Sequence, residues 1–158
     1  LDLDSLGYYR SQRGTVAGVD CLVARTGYTG EDGFELFCDA RRATRLWDAL
    51  VDAGEPFGLR PCGLGSRDTL RLEAGMPLYG NELGRDMNPY EANLGRVVKL
   101  DKGEFMGRAA LAAVQQAGPT RRLVGLVMRD TAIARAGYAV NVAGDEAGVV
   151  TSGQIVAL

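Results

Sequence analysis

The sequence predicts an α+β fold: antiparallel sheets with packed helices, followed by part of a small C-terminal β-barrel. Three observations carry this reading. Two short alternating stretches flank a loop rich in Gly and Asp, as in a hairpin. Two longer stretches place apolar residues at helical spacing or follow helix start signals. The tail then breaks into short strand-like runs divided by Gly, Asp and Asn turns.

In chain order, residues 19–24 (VDCLVA) alternate as a strand does. Residues 34–38 (FELFC) read as its partner, with the glycines of residues 27–33 forming the tight turn between them. Residues 39–54 read as a helix with Ala43, Leu46, Trp47, Leu50 and Val51 on one stripe. Asp39 is its expected N-cap and Gly54 its stop. The Trp47 stripe reads as core rather than as a cofactor box. The stretch beginning at Gly58 reads as a loop, then a helix of about three turns, stopped by Gly75 and Pro77. Residues 94–100 (LGRVVKL) predict a strand and residues 105–117 a helix. GPTRR, 118–122, is the candidate linker. Beyond it LVGLVM, YAVNV and GVVTSGQIVAL read as strands, too few to close a barrel alone.

Composition narrows the function. The chain has 158 residues, 46% hydrophobic and 24% charged, enough for a packed core of one domain or slightly more. Its net charge of -2 disfavours nucleic acid as the main partner, because neutralising phosphates needs excess Lys and Arg. No apolar run reaches the length of a membrane span. The first residue is Leu1 rather than Met, and the last residues are apolar, so segments are expected on either side. Cys21, Cys38 and Cys62 lack the spacing of a disulfide framework or zinc site. Each reads as a small buried hydrophobe in a reducing, cytoplasm-like compartment. The chain has no His, which removes His-based triads and His metal ligands.

Three constellations remain. RTGYTGEDGFEL, residues 25–36, spaces Gly27, Gly30 and Gly33 unlike a dinucleotide fingerprint, and Glu31 and Asp32 would repel a pyrophosphate. Beyond the glycines, Glu35 points to the opposite strand face from Phe34, Leu36 and Cys38. A mid-strand carboxylate either pairs with an Arg, accepts hydrogen bonds from a flat amidine-like ligand edge, or is simply exposed. In SRDTLRLEAG, Arg67 and Arg71 share a helix face, with Asp68 and Glu73 as possible partners. That pattern is either a salt-bridged helix surface or an anion and carbonyl clamp. In GMPLYGNEL, Tyr79 sits in a turn, to stack on a ligand or fill a core gap.

Together, ARTGYTGEDGFEL (24–36), CGLGSRDTLRLEAGMPLYGNEL (62–83) and LDKGEFMGRAAL (100–111) resemble the T-protein family of the glycine cleavage system. These are tetrahydrofolate-dependent aminomethyltransferases. The order and spacing match from about Cys21 to Ser152, including VTSG near the end. The resemblance implies a T-protein-like folate-binding fold, with residues 1–117 as the central folate-binding region and 118–158 starting the C-terminal barrel. It implies transfer of a one-carbon unit from the aminomethyl-lipoyl arm of the H-protein to tetrahydrofolate, with release of ammonia. It places the second glutamate of GEDGFE, Glu35, on the amino-pyrimidine edge of the pterin, and Arg67 on a polar part of the folate. Tyr79 is a weaker folate contact. No metal, nucleic acid or membrane enters this chemistry. The compartment is the cytoplasm in a bacterium, or the mitochondrial matrix in a eukaryote.

The family's catalytic aspartate belongs to an N-terminal portion that precedes the matched stretch, so no residue here takes that role. The expectation is a fragment of the middle and part of the C-terminal region, inactive alone. Arg96 stands where the family often has an aromatic pocket wall. Two relatives compete: the folate-binding portion of a sarcosine or dimethylglycine dehydrogenase, and a non-enzymatic folate-binding relative of iron–sulfur protein maintenance. LRLEAGMPLYGNEL is more like T-protein than the first. KGEFMGR lacks the Cys and Tyr that mark the second.

Overall fold

The computed structural model describes residues 1–154. The chain divides into two compact units, Leu1–Ala74 and the stretch from Gly75 onward. The connection expected at 118–122 therefore lies inside the second unit.

The first unit is built on a three-stranded antiparallel sheet, β1 (Ser11–Val16), β2 (Val19–Ala24) and β3 (Glu35–Cys38), in the order β1-β2-β3. The β2–β3 pairing is the hairpin expected from sequence. β1 was not anticipated: SQRGTV has few β-branched residues, and it becomes a strand by pairing with β2 across the turn at Ala17 and Gly18. Both turn residues have positive φ, as tight two-residue hairpins require. Alternation places Val19, Cys21 and Val23 on one face, buried with Leu6 and Leu46, and Leu36 and Cys38 pack against them.

Leu46 comes from α1 (Ala43–Gly54), which follows a 3-10 turn at Ala40–Arg42. Asp39, expected to cap the helix, instead caps that turn, accepting from the Arg41 backbone N–H at 2.9 Å, and Arg42 takes the N-cap position of α1. The stripe expected to be core is buried only at Leu46. Trp47 is 55% exposed and Leu50 is 36% exposed. The sheet's inward face is narrow and made of small side chains, so it covers one line of the helix and not the whole stripe. Helix α2 (Leu64–Glu73) matches the expected three turns. Cys62 precedes it and is exposed, contrary to the expectation of burial.

The second unit is mostly turns. Residues 94–100 form no strand: Gly95–Val97 is a 3-10 turn, and Leu94 donates to the Pro89 carbonyl at 2.7 Å. The apolar run there misled because Gly95 lies so close to the Tyr90 ring that a side chain would sit 2.8 Å from it. Helix α3 spans Arg108–Ala117, starting three residues later than expected because Gly107, at φ +87°, occupies its N-cap. LVGLVM forms no strand. The observed hairpin is β4 (Ala139–Val142) with β5 (Asp145–Val149), turning at Ala143 and Gly144. The expected last strand is therefore displaced towards the N-terminus, and residues 155–158 lie outside the described residues. The 118–122 stretch is clasped rather than free. Arg121 donates to the buried Glu91 carboxylate at 3.2 Å and to the Asp86 carbonyl. Across the same seam the Leu123 backbone N–H donates to the Glu91 carbonyl at 2.8 Å, and the Leu123 carbonyl accepts from Asn93 Nδ2 at 2.7 Å. No helix among the described residues is long and apolar enough to cross a membrane.

Candidate functional site

The segment between β2 and β3 is a ten-residue loop, not the tight turn expected, and it organises the site. Arg25 holds it. Its guanidinium makes two bonds to Asp32, 2.9 and 2.7 Å, and donates to the Leu6 carbonyl at 2.9 Å. The same group lies 5.6 Å from the centre of the Phe34 ring. The Arg25 bonds hold the Asp32 carboxyl below its ordinary value. Asp32 thus fixes the loop's base.

Glu35 opens β3 opposite Ala24, on the outward sheet face with Phe37. It is exposed, and one carboxylate oxygen, Oε2, accepts a short hydrogen bond from the Thr26 hydroxyl. Among the described residues no basic side chain pairs with it, so the structural ion pair considered from sequence is not what holds it. Oε1 is left for an outside donor. A bond from Thr26 restricts the carboxylate's rotation, which lowers the entropy lost when a ligand docks.

Arg67 lies in the second turn of α2, exposed, with its guanidinium carbon 4.4 Å from the centre of the Tyr28 ring. Stacking on an aromatic face leaves the guanidinium's edge donors pointing outward. Arg71, one turn on, behaves differently. It is fully buried and bonds Asp68 through Nε at 2.8 Å and Nη2 at 2.7 Å. The expected Arg–Asp pairing is present, but inside the protein rather than as a surface network. Of the two arginines only Arg67 is available to a ligand.

Glu35 and Arg67, far apart in sequence, are therefore both seated on the same loop, through Thr26 and Tyr28. Those two supports went unrecognised in the sequence. Tyr79 belongs to the second unit and is 72% exposed in a turn bridged to Leu83. Arg96 is exposed on the Gly95–Val97 turn. The main concavity of the first unit, about 680 Å³, opens over β1–β3 beside Arg13, Leu22 and Phe37 and includes neither Glu35 nor Arg67. Glu35 and Arg67 are both exposed. No cluster of metal-ligating side chains occurs among the described residues.

The exposed Glu35 carboxylate on β3 and the exposed Arg67 guanidinium on α2 thus both contact the loop that Arg25 holds, through Thr26 and Tyr28. Residues 1–102 match the GCVT N-terminal domain, and the chain belongs to that family. Its curated relatives include proteins named aminomethyltransferase. The one from Moorella thermoacetica is 59% identical over 155 residues, 98% of this chain. That from Streptomyces avermitilis is 60% identical over 156 residues, 96% of this chain, and that from Desulfitobacterium hafniense 50% over 153 residues, 97% of this chain. The chain spans 42% of the length of each of these relatives.

Proposed function

We propose that this chain is the folate-gripping part of a glycine cleavage aminomethyltransferase. That enzyme takes the one-carbon unit from the aminomethyl-lipoyl arm of the H-protein, passes it to tetrahydrofolate and releases ammonia. In this reading Glu35 Oε1 accepts from the amino-pyrimidine edge of the pterin while Thr26 holds Oε2. Arg67, backed by Tyr28, donates to a polar part of the folate. Tyr79 keeps the weaker folate-contact role that the family resemblance implies for it, and the β4–β5 hairpin is the start of the C-terminal barrel.

The reaction needs folate N5 presented to the methylene carbon in a fixed orientation, because positioning replaces the entropy cost of a bimolecular encounter. This chain's residues bind and orient. None is assigned the proton transfer to the departing amine. The observation that carries the reading is the seating of Glu35 and Arg67 on one pinned loop. It agrees with membership of a family whose curated relatives are named for this transfer.

Isothermal titration with tetrahydrofolate tests it. Losing one charged hydrogen-bonding partner costs about 1.5–3 kcal/mol. Glu35→Gln is therefore expected to raise the dissociation constant about tenfold or more. An unchanged constant would leave Glu35 as a support for the loop and remove the pterin assignment.

A further inference from the structure

Cys21 and Cys38 do not stand alone in the fold. They are direct cross-strand partners in the β2–β3 ladder, so their side chains share one sheet face. Cys21 is buried in the core cluster, and Cys38 packs against that cluster while keeping partial access to solvent. Directly opposed residues of an antiparallel pair have Cα atoms roughly 4.5–5.5 Å apart, inside the roughly 4.4–6.8 Å range that a disulfide spans. On the far side of Cys21 the row ends in Gly14, whose side-chain position is taken by the Leu1 side chain. Cys62, the remaining thiol, is exposed in the loop before α2, with no Cys partner in the ladder.

We propose that Cys21 and Cys38 form a reversible dithiol–disulfide site, oxidised by small-molecule disulfides of the glutathione class. The Cys38 thiolate attacks one sulfur of the oxidant, forming a mixed disulfide and expelling one thiolate, which takes up the proton that Cys38 lost. The Cys21 thiol then gives up its proton and attacks the Cys38 sulfur, expelling the second small thiol, which takes that proton. Two protein thiols are oxidised to one disulfide, and one oxidant disulfide is reduced to two thiols. Access sets the order: Cys38 is reachable, whereas Cys21 is enclosed. Burial pushes the Cys21 thiol up, and the neighbouring Cys38 adds to this, so Cys21 suits the resolving step and not the first attack. The product ties β2 to β3 three residues beyond Glu35, closing the loop that carries Thr26 and Tyr28.

The test is oxidation of the whole chain with oxidised glutathione, an acid quench, and alkylation in denaturant. The expected result is loss of two of the three alkylatable thiols and a mass lighter by two hydrogens. Tryptic peptides 14–25 and 26–41 should be recovered joined, then separated by reductant. Cys62→Ser should give the same joined peptides, and Cys38→Ser should give none. Stable glutathionylation of Cys38 with Cys21 still alkylated would overturn the proposal. So would a bridge involving Cys62, or three free thiols under oxidant excess. Because Cys62→Ser alters an exposed residue, it keeps the test decisive even if Cys38→Ser fails to fold.

Discussion

Gly30 and Ala74 meet so closely that a methyl group at Gly30 would lie 2.7 Å from the Ala74 Cβ, and Gly30 also holds φ at +81°. The contact lays the middle of the β2–β3 loop on the C-terminal end of α2. Of the three glycines in the motif only Gly30 has both constraints, for a side chain at Gly27 or Gly33 would meet nothing within 4 Å. Gly30→Ala should destabilise the chain by about 2–4 kcal/mol, from left-handed strain and overpacking together. Adding Ala74→Gly should return the overpacking part and leave the strain. Urea unfolding of the four chains measures both contributions. Full recovery in the double variant would mean that backbone strain contributes nothing.

Helix α1 supplies a second discrimination. Leu46 is 4% exposed in the core, whereas its neighbour Trp47 is 55% exposed. Leu46→Ala should cost about 2–4 kcal/mol, the loss of transfer energy plus a cavity. Trp47→Ala should cost about 1 kcal/mol or less, as surface changes do. Chemical denaturation of the two variants ranks them, and a larger loss for Trp47 would contradict the packing described here.

The two arginines of α2 should separate cleanly. Arg71 uses two nitrogens on Asp68 inside the protein, a fork that a lysine cannot reproduce. Arg71→Lys should lower stability by about 1.5–3 kcal/mol through the lost charged hydrogen bonding. Arg67→Lys, at an exposed position, should leave stability within about 0.5 kcal/mol. Its effect should fall on tetrahydrofolate binding, because a lysine keeps the charge but loses the planar edge that stacks on Tyr28. Thermal melts beside titrations of the same two proteins report this split.

How far these features were legible in the sequence follows from what each depends on. The β2–β3 pairing and helix α2 were readable because alternation and helix stop signals are local. Strand β1 was not, since its residues become a strand only through pairing with β2. Trp47 was misplaced because periodicity finds a stripe but not the width of the surface that covers it. Glu35, Arg67 and Tyr79 were singled out chiefly by family resemblance. The spacing by itself left open ligand, ion pair and exposure for Glu35, and among the described residues its partner is the Thr26 hydroxyl and not a basic side chain. Thr26 and Tyr28 were passed over because a supporting hydroxyl or ring has no sequence signature until its partner is placed. The burial of Arg71 against the exposure of Arg67, one turn away, is likewise a property of packing and not of spacing.

Acid sensitivity offers a last test, at the start of the first unit's helical region. The Arg41 guanidinium, with the Arg41 backbone N–H adding to it, lowers the Asp39 carboxyl to about 2 from an ordinary 3.8. A carboxyl depressed on folding stabilises above its unfolded value, and that contribution is lost as pH falls through the folded value. The stabilising effect of Asp39 should therefore be complete at neutral pH, begin to fade below the ordinary carboxylate range, and be gone once pH passes below about 2. Asp39→Asn keeps a side-chain acceptor for the cap but removes the charge. Its urea midpoint should sit slightly below wild type at neutral pH and converge on it in acid. Both partners are solvent-exposed, so added salt should shrink the neutral-pH gap. A gap that widens on acidification would mean that the Asp39–Arg41 pair does not stabilise the fold.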